Sequence, residues 1–170
     1  MICHIATNVP GQVIGDPWRL RQILLNLLSN AVKFTASGSI RLLVWRGEGD
    51  QLGFQVIDTG IGIAPSAQRS VFEAFLQADA STTRNYGGTG LGLSISQRLA
   101  GMMGGGIELH SQPDVGSTFA LTLPLPQCPA RAADAPRLWG LRTLVVDEHA
   151  DERGALMEKI GRASCRERVS

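Results

Sequence analysis

Asp58-Thr59-Gly60-Ile61-Gly62-Ile63 and Gly87-Gly88-Thr89-Gly90-Leu91-Gly92-Leu93 are two glycine boxes, and between them lies a polar run from Ala78 to Tyr86 with little apolar periodicity. Glycine lets backbone come close to a ligand and supplies the φ > 0 turns that such an approach needs. The second box runs straight into Leu91-Gly92-Leu93-Ser94-Ile95-Ser96-Gln97-Arg98-Leu99, which reads as a helix. Backbone N–H groups at a helix start, reached through glycines, form a ready phosphate site. The pair of boxes therefore predicts a nucleotide pocket with a lid.

Upstream, Asp16-Pro17 is a strong helix start, with Asp at the N-cap and Pro at the first helical position. The helix should run to Phe34 and stop near Ser37-Gly38. Leu20, Ile23, Leu24, Leu27, Ala31 and Phe34 form its apolar side, and Gln22, Asn26, Asn30 and Lys33 gather on the other. A solvated helix face usually carries Lys and Glu, and Asn is a poor helix former. Two amides one turn apart are thus either ordinary surface residues or oxygen donors for a hard cation such as Mg²⁺, with the lysine near phosphate. From the helix alone both readings stand.

The remaining pattern is that of a sheet. Met1 to Thr7 reads as an edge strand, ended by the turn Asn8-Val9-Pro10-Gly11. Ser39–Arg46 and Leu52–Asp58 form a hairpin through Gly47-Glu48-Gly49-Asp50, which sets Asp58 at a strand end. Pro65 to Phe75 reads as a short helix, and Gly92 to Met103 as a long one stopped by three glycines. Ile107–Ser111 and Ser117–Leu123 are two further strands. The expected fold is an α/β sandwich of two layers, a mixed sheet covered on one face by helices.

The chain has 170 residues, 44% hydrophobic and 18% charged, which suits one globular core. A net charge of +1 gives no reason to expect nucleic acid. Cys3, Cys128 and Cys165 lie far apart, so neither zinc nor a disulfide framework is suggested, and a reducing compartment fits. No run approaches membrane-spanning length and the N-terminus lacks the charged and apolar blocks expected of a signal peptide, so this stretch reads as soluble. The domain should occupy residues 1–124, followed by a linker over 125–140 rich in Pro, Ala and Arg. Leu141 to Val146 then reads as a buried strand ending in Asp147-Glu148, an acidic pair that suits either Mg²⁺ or an exposed helix start. Residues 161–170 lose the apolar periodicity and crowd Arg162, Arg166 and Arg168, in the manner of a non-native tail.

Four motifs in register carry a resemblance. Gln22-Ile23-Leu24-Leu25-Asn26-Leu27-Leu28-Ser29-Asn30-Ala31-Val32-Lys33-Phe34-Thr35 resembles the N-box of bacterial sensor histidine kinases. Asp58-Thr59-Gly60-Ile61-Gly62 is similar to their first glycine box, Phe72-Glu73-Ala74-Phe75 to their phenylalanine box, and Gly88-Thr89-Gly90-Leu91-Gly92-Leu93 to their second. Gly116-Ser117-Thr118-Phe119 matches the strand that closes the domain. One box alone would be weak; the ordered set, covering Val13 to Leu123, is specific. The resemblance implies the Bergerat (GHKL) ATP-binding fold, with ATP and Mg²⁺ as cofactors. It implies that Asn30 and Asn26 hold the metal, Lys33 contacts phosphate, and Phe34 packs near the base. Asp58 would accept from the adenine amino group, Gly60 and Gly62 would admit the base, and Thr118 would support that contact through water. Arg84 would reach the γ-phosphate from the lid, while Gly88, Thr89, Gly90, Leu91 and Gly92 would form the phosphate turn.

Two positions depart from the family pattern. Ala74 stands where proline is common, and Asn85 where a second basic residue is frequent. The family phosphorylates a histidine on a helical dimerisation domain, but His4, His110 and His149 each lack its motif and read better as structural or exposed residues. The acceptor domain would lie upstream of Met1, in a parent protein that resembles a homodimeric hybrid kinase. Leu144-Val145-Val146-Asp147-Glu148 resembles the start of a receiver domain, cut before its phosphorylated aspartate. The resemblance implies a cytoplasmic domain and leaves an inner-membrane anchor of the parent open. P-loop, protein-kinase and Rossmann motifs are lacking. A gyrase-type ATPase would need an acid early in the long helix, which opens Trp18-Arg19-Leu20-Arg21-Gln22 instead. The alternative is a regulatory module that binds nucleotide and transfers nothing.

Overall fold

Asp16 is an N-cap in the extended conformation, and its carboxylate accepts the amide protons of Trp18 and Arg19 at 3.0 and 3.1 Å. With Pro17 at the first helical position, this starts α1 (Pro17–Phe34) where the sequence predicts it. The computed structural model of the protein describes residues 1–73 and 90–128. Around α1 stand β1 (Ile2–Ile5), β2 (Ile40–Arg46), β3 (Gln51–Asp58), α2 (Gly92–Met102), β4 (Gly106–Gln112) and β5 (Gly116–Pro124).

The five strands form one sheet in the order β1-β2-β3-β5-β4. β1 runs parallel to β2, reached by a crossover through α1, and the other neighbours are antiparallel. β1 lies at an edge, as its short mixed sequence suggests. One sheet face carries Val44, Leu52, Phe54, Val56, Ile107, Phe119, Leu121 and Leu123, and α1 and α2 supply Ile23, Leu27, Ala31 and Ala100 to the same core. The alternation along β3 and β5 follows from the two-residue period of a strand, which sends every second side chain to the helices. This is the expected mixed sheet with helices on one face.

Two boundaries differ from the sequence reading. The segment from Pro65 is not a helix over its described part: residues 65–69 are turns and Ser70–Phe72 is a single 3-10 turn. Local side-chain bonds compete with the helical ladder here. Ser70 Oγ donates to the Ala67 carbonyl, and Gln68 Nε2 donates to the carbonyls of Ile63 and Ser111. The second correction concerns the linker, expected from residue 125 onward. Leu125 is buried, its amide donates to the Asp50 carbonyl at 2.8 Å, and its side chain fills the space left by Gly15, where a Cβ would stand 2.4 Å from Leu125 Cδ2. Ile14 donates to the Pro126 carbonyl, and Cys128 to that of Gln12. Flanking prolines disguise a leucine that closes the core, so the domain includes Leu125 to Cys128.

Candidate nucleotide site

Asp58 ends β3 on the helix-facing side of the sheet and is 6% exposed. A carboxylate there requires polar company. The Gly60 amide donates to Asp58 Oδ1 at 2.9 Å, an Asx-type turn that makes the first glycine box fold back on the carboxylate. A Cβ on Gly60 would lie 2.2 Å from the Phe34 carbonyl oxygen, so only glycine fits. The next amide, Ile61, donates to that same carbonyl at 3.2 Å, which ties the box to the end of α1. Gly62 has φ +67, and a Cβ there would meet the Gln112 carbonyl at 2.0 Å. The first box is thus clamped between α1 and the β4–β5 turn.

Ser111 organises the other side of the clamp. Its hydroxyl accepts the Ile63 amide proton at 2.8 Å and donates to the Gly116 carbonyl at 2.9 Å. Ser117 Oγ lies 3.0 Å from Ser111 Oγ. Since the single Ser111 proton is engaged, Ser117 is the donor of that pair. Ser111 pairs with Ser117, and Ser117 with Asp58, so the three polar side chains form one row on the helix-facing surface.

This register corrects one expectation. Thr118 pairs with Ile57 and His110, one residue out of step with Asp58 and Ser117. Successive strand residues point to opposite faces, so Thr118 lies on the far side of the sheet from the Asp58 carboxylate. The hydroxyl beside Asp58 belongs to Ser117, which is 7% exposed. Sequence reading missed Ser117, Ser111 and Ser96; the signal for Ser117 is its in-phase pairing with Asp58.

The second box meets the middle of α1. Asn26 Nδ2 donates to Ser96 Oγ at 2.9 Å across the seam with α2. A Cβ on Gly92 would lie 2.2 Å from Asn26 Oδ1, so glycine opens α2 where it touches the amide. Asn30 lies one turn further along α1, half-buried, and Lys33 and Phe34 occupy its last turn with Lys33 Nζ 4.9 Å from the Phe34 ring centre. Gly90, at φ +67, takes the left-handed turn expected of this box, with Leu91 next to it as the N-cap residue of α2. Arg84, Gly88 and Thr89 lie outside the described residues, as do Ala74 and Phe75 of the phenylalanine box and the acidic pair Asp147-Glu148. Both glycine boxes therefore dock on the polar stripe and end of one helix.

Residues 15–127 match the family model for histidine kinase-, DNA gyrase B- and HSP90-like ATPases. The chain belongs to this family. The family's relatives include the signal transduction histidine-protein kinase BarA of Escherichia coli, 52% identical over 120 residues, which is 68% of this chain and 13% of BarA. The sensor histidine kinase GacS of Pseudomonas protegens is 43% identical over 166 residues, 94% of this chain and 18% of GacS. Among solved structures, full-length ShkA in complex with AMPPNP superposes with a TM-score of 0.74 at 36% identity, covering 95% of this chain and 33% of ShkA. The chain thus spans 13% to 18% of the length of these curated relatives. The fold is the family's two-layer α/β sandwich.

Among the described residues no group of three or more His, Cys, Asp or Glu side chains could cage a metal. Asn26 and Asn30 are residues of this helix face whose side-chain oxygens could hold a hard cation. Among the described residues, no helix is long and apolar enough to cross a membrane.

Proposed function

We propose that this chain is the ATP-binding catalytic domain of a sensor histidine kinase. The observation that carries this reading is the clamp around Asp58: a buried carboxylate with one oxygen held by the Gly60 amide, at the strand end where the first glycine box docks on the end of α1. Such a carboxylate accepts from an exocyclic amine, and in this reading it selects adenine, with Ser117 taking the supporting role expected of Thr118. Asn30 and Asn26 supply oxygens to Mg²⁺, which when bound neutralises phosphate charge. Lys33 adds an ammonium toward phosphate, and Arg84 and the turn of Gly88 to Gly92 complete the phosphate contacts. In the reaction, the bond from the γ-phosphorus to its bridging oxygen breaks, a P–N bond to histidine forms, and ADP leaves. The protein's contribution is positioning and charge neutralisation.

The acceptor histidine would lie on a dimerisation domain of the parent protein, a homodimer in this reading, and residues beyond the linker would begin a receiver domain. The GacS match, which covers 94% of the chain and so runs past residue 127, supports kinase-like sequence beyond the ATP-binding unit. The domain would work on the cytoplasmic side. Binding of a fluorescent ATP analogue with and without Mg²⁺ tests the pocket. Adding a dimerisation domain in trans and measuring acid-labile phosphohistidine tests the transfer. Binding without phosphohistidine would move the chain to the regulatory class.

A further inference from the structure

We infer that Ser96 is a positioning residue that orients the Asn26 side-chain amide, turning its oxygen toward the start of α2 and the phosphate turn. This rests on the nucleotide reading above. Among the described residues the buried polar side chains are Asp58, Ser117 and Ser96. The first two belong to the row beside the first glycine box. Ser96, 1% exposed on α2, stands apart and has no part in the chemistry described so far.

Its hydroxyl accepts from Asn26 Nδ2 at 2.9 Å, linking residues 70 apart in sequence. The two ends of a carboxamide are chemically opposite: the oxygen suits a cation, and the NH₂ would repel one. A helical serine has the carbonyl four residues back within reach of its proton, which leaves its lone pairs to accept. That draws the NH₂ toward Ser96. In this orientation Asn26 Oδ1 lies over Gly92, where a Cβ would stand 2.2 Å from it and so could not be accommodated. Leu91, the N-cap residue of α2, makes no side-chain cap, so the first-turn N–H groups keep their partial positive charge beside Gly92. Ser96 thereby decides which end of Asn26 the turn of Gly90 to Gly92 meets.

The test compares the full chain with Ser96→Ala and with Ser96→Cys, which is slightly larger than serine but accepts weakly. Affinity for a fluorescent ATP analogue is measured with and without Mg²⁺, alongside thermal unfolding. Both variants should lose about tenfold of the Mg²⁺-stimulated affinity while Mg²⁺-free affinity changes less than about twofold. Equal losses with and without Mg²⁺, or no loss, would overturn the inference. Mg²⁺-stimulated binding by the unmodified chain with unchanged variants sinks this inference alone. No Mg²⁺ stimulation in the unmodified chain sinks the nucleotide reading and this with it. A readout on the unmodified chain is the Asn26 side-chain NH₂ resonance, assigned by its loss in Asn26→Asp. Slowed proton exchange is expected, and free-amide exchange overturns the proposal.

Discussion

The carbonyl of Phe34, the last residue of α1, accepts the amide proton of Ile61 at 3.2 Å. A helix-terminal carbonyl, which has no partner within the helix, is thereby satisfied by the first glycine box. The bond joins the end of the polar stripe to the loop that bears on Asp58. Side-chain size at Gly60 should therefore control both stability and ligand binding. In Gly60→Ala the new Cβ would press on the Phe34 carbonyl at 2.2 Å, so the loop must move. A loss of about 2 kcal/mol or more is expected in urea unfolding, together with weakened nucleotide binding.

Asp58 combines two roles that substitutions can separate. Asp58→Asn retains an oxygen for the Gly60 amide but replaces the second acceptor with a donor that opposes the adenine amine. Fluorescent ATP analogue titration should show affinity down at least about tenfold, with unfolding changed by less than about 1 kcal/mol. Asp58→Ala should lose binding and also about 1–2 kcal/mol of stability, because the Gly60 amide is left without its acceptor.

Asn30 is expected to matter for the ligand and not for the fold. Alanine is the better helix former by about 0.5 kcal/mol, so Asn30→Ala should unfold at the same temperature or slightly higher. Its Mg²⁺-stimulated affinity should nevertheless fall about tenfold in a Mg²⁺ titration with the ATP analogue.

Ser111→Ala should be more damaging than a hydroxyl-to-methyl change on the surface. It strands the Ile63 amide and the Gly116 carbonyl and removes the partner of Ser117. A cost of about 2 kcal/mol is expected in chemical denaturation.

Asp16→Ala removes the cap of α1. The loss should be about 1 kcal/mol, or about 4 °C in Tm by calorimetry. Most of it is the cap, because the Asp16–Arg19 ion pair at 3.2 Å joins side chains that are each 40% exposed and adds little.

Features that depend on local chemistry are legible in the chain. Asp16-Pro17 sets the start of α1, the amphipathic spacing fixes which face enters the core, and the period-two strands give the sheet. The glycine boxes were legible because a left-handed φ at Gly62 and Gly90 admits few alternatives to glycine. Tertiary structure decided what depends on register and close approach between distant residues. Ser117 and Thr118 are both hydroxyls in sequence, and only the pairing of β5 with β3 tells which one shares a face with Asp58. Leu125 looks like the first residue of a linker until the space at Gly15 receives it. Asn26 and Asn30 look alike on one helix stripe, yet only Asn26 meets Ser96, from a helix 70 residues away. Such contacts arise from how the layers pack, and no local pattern in the chain encodes them.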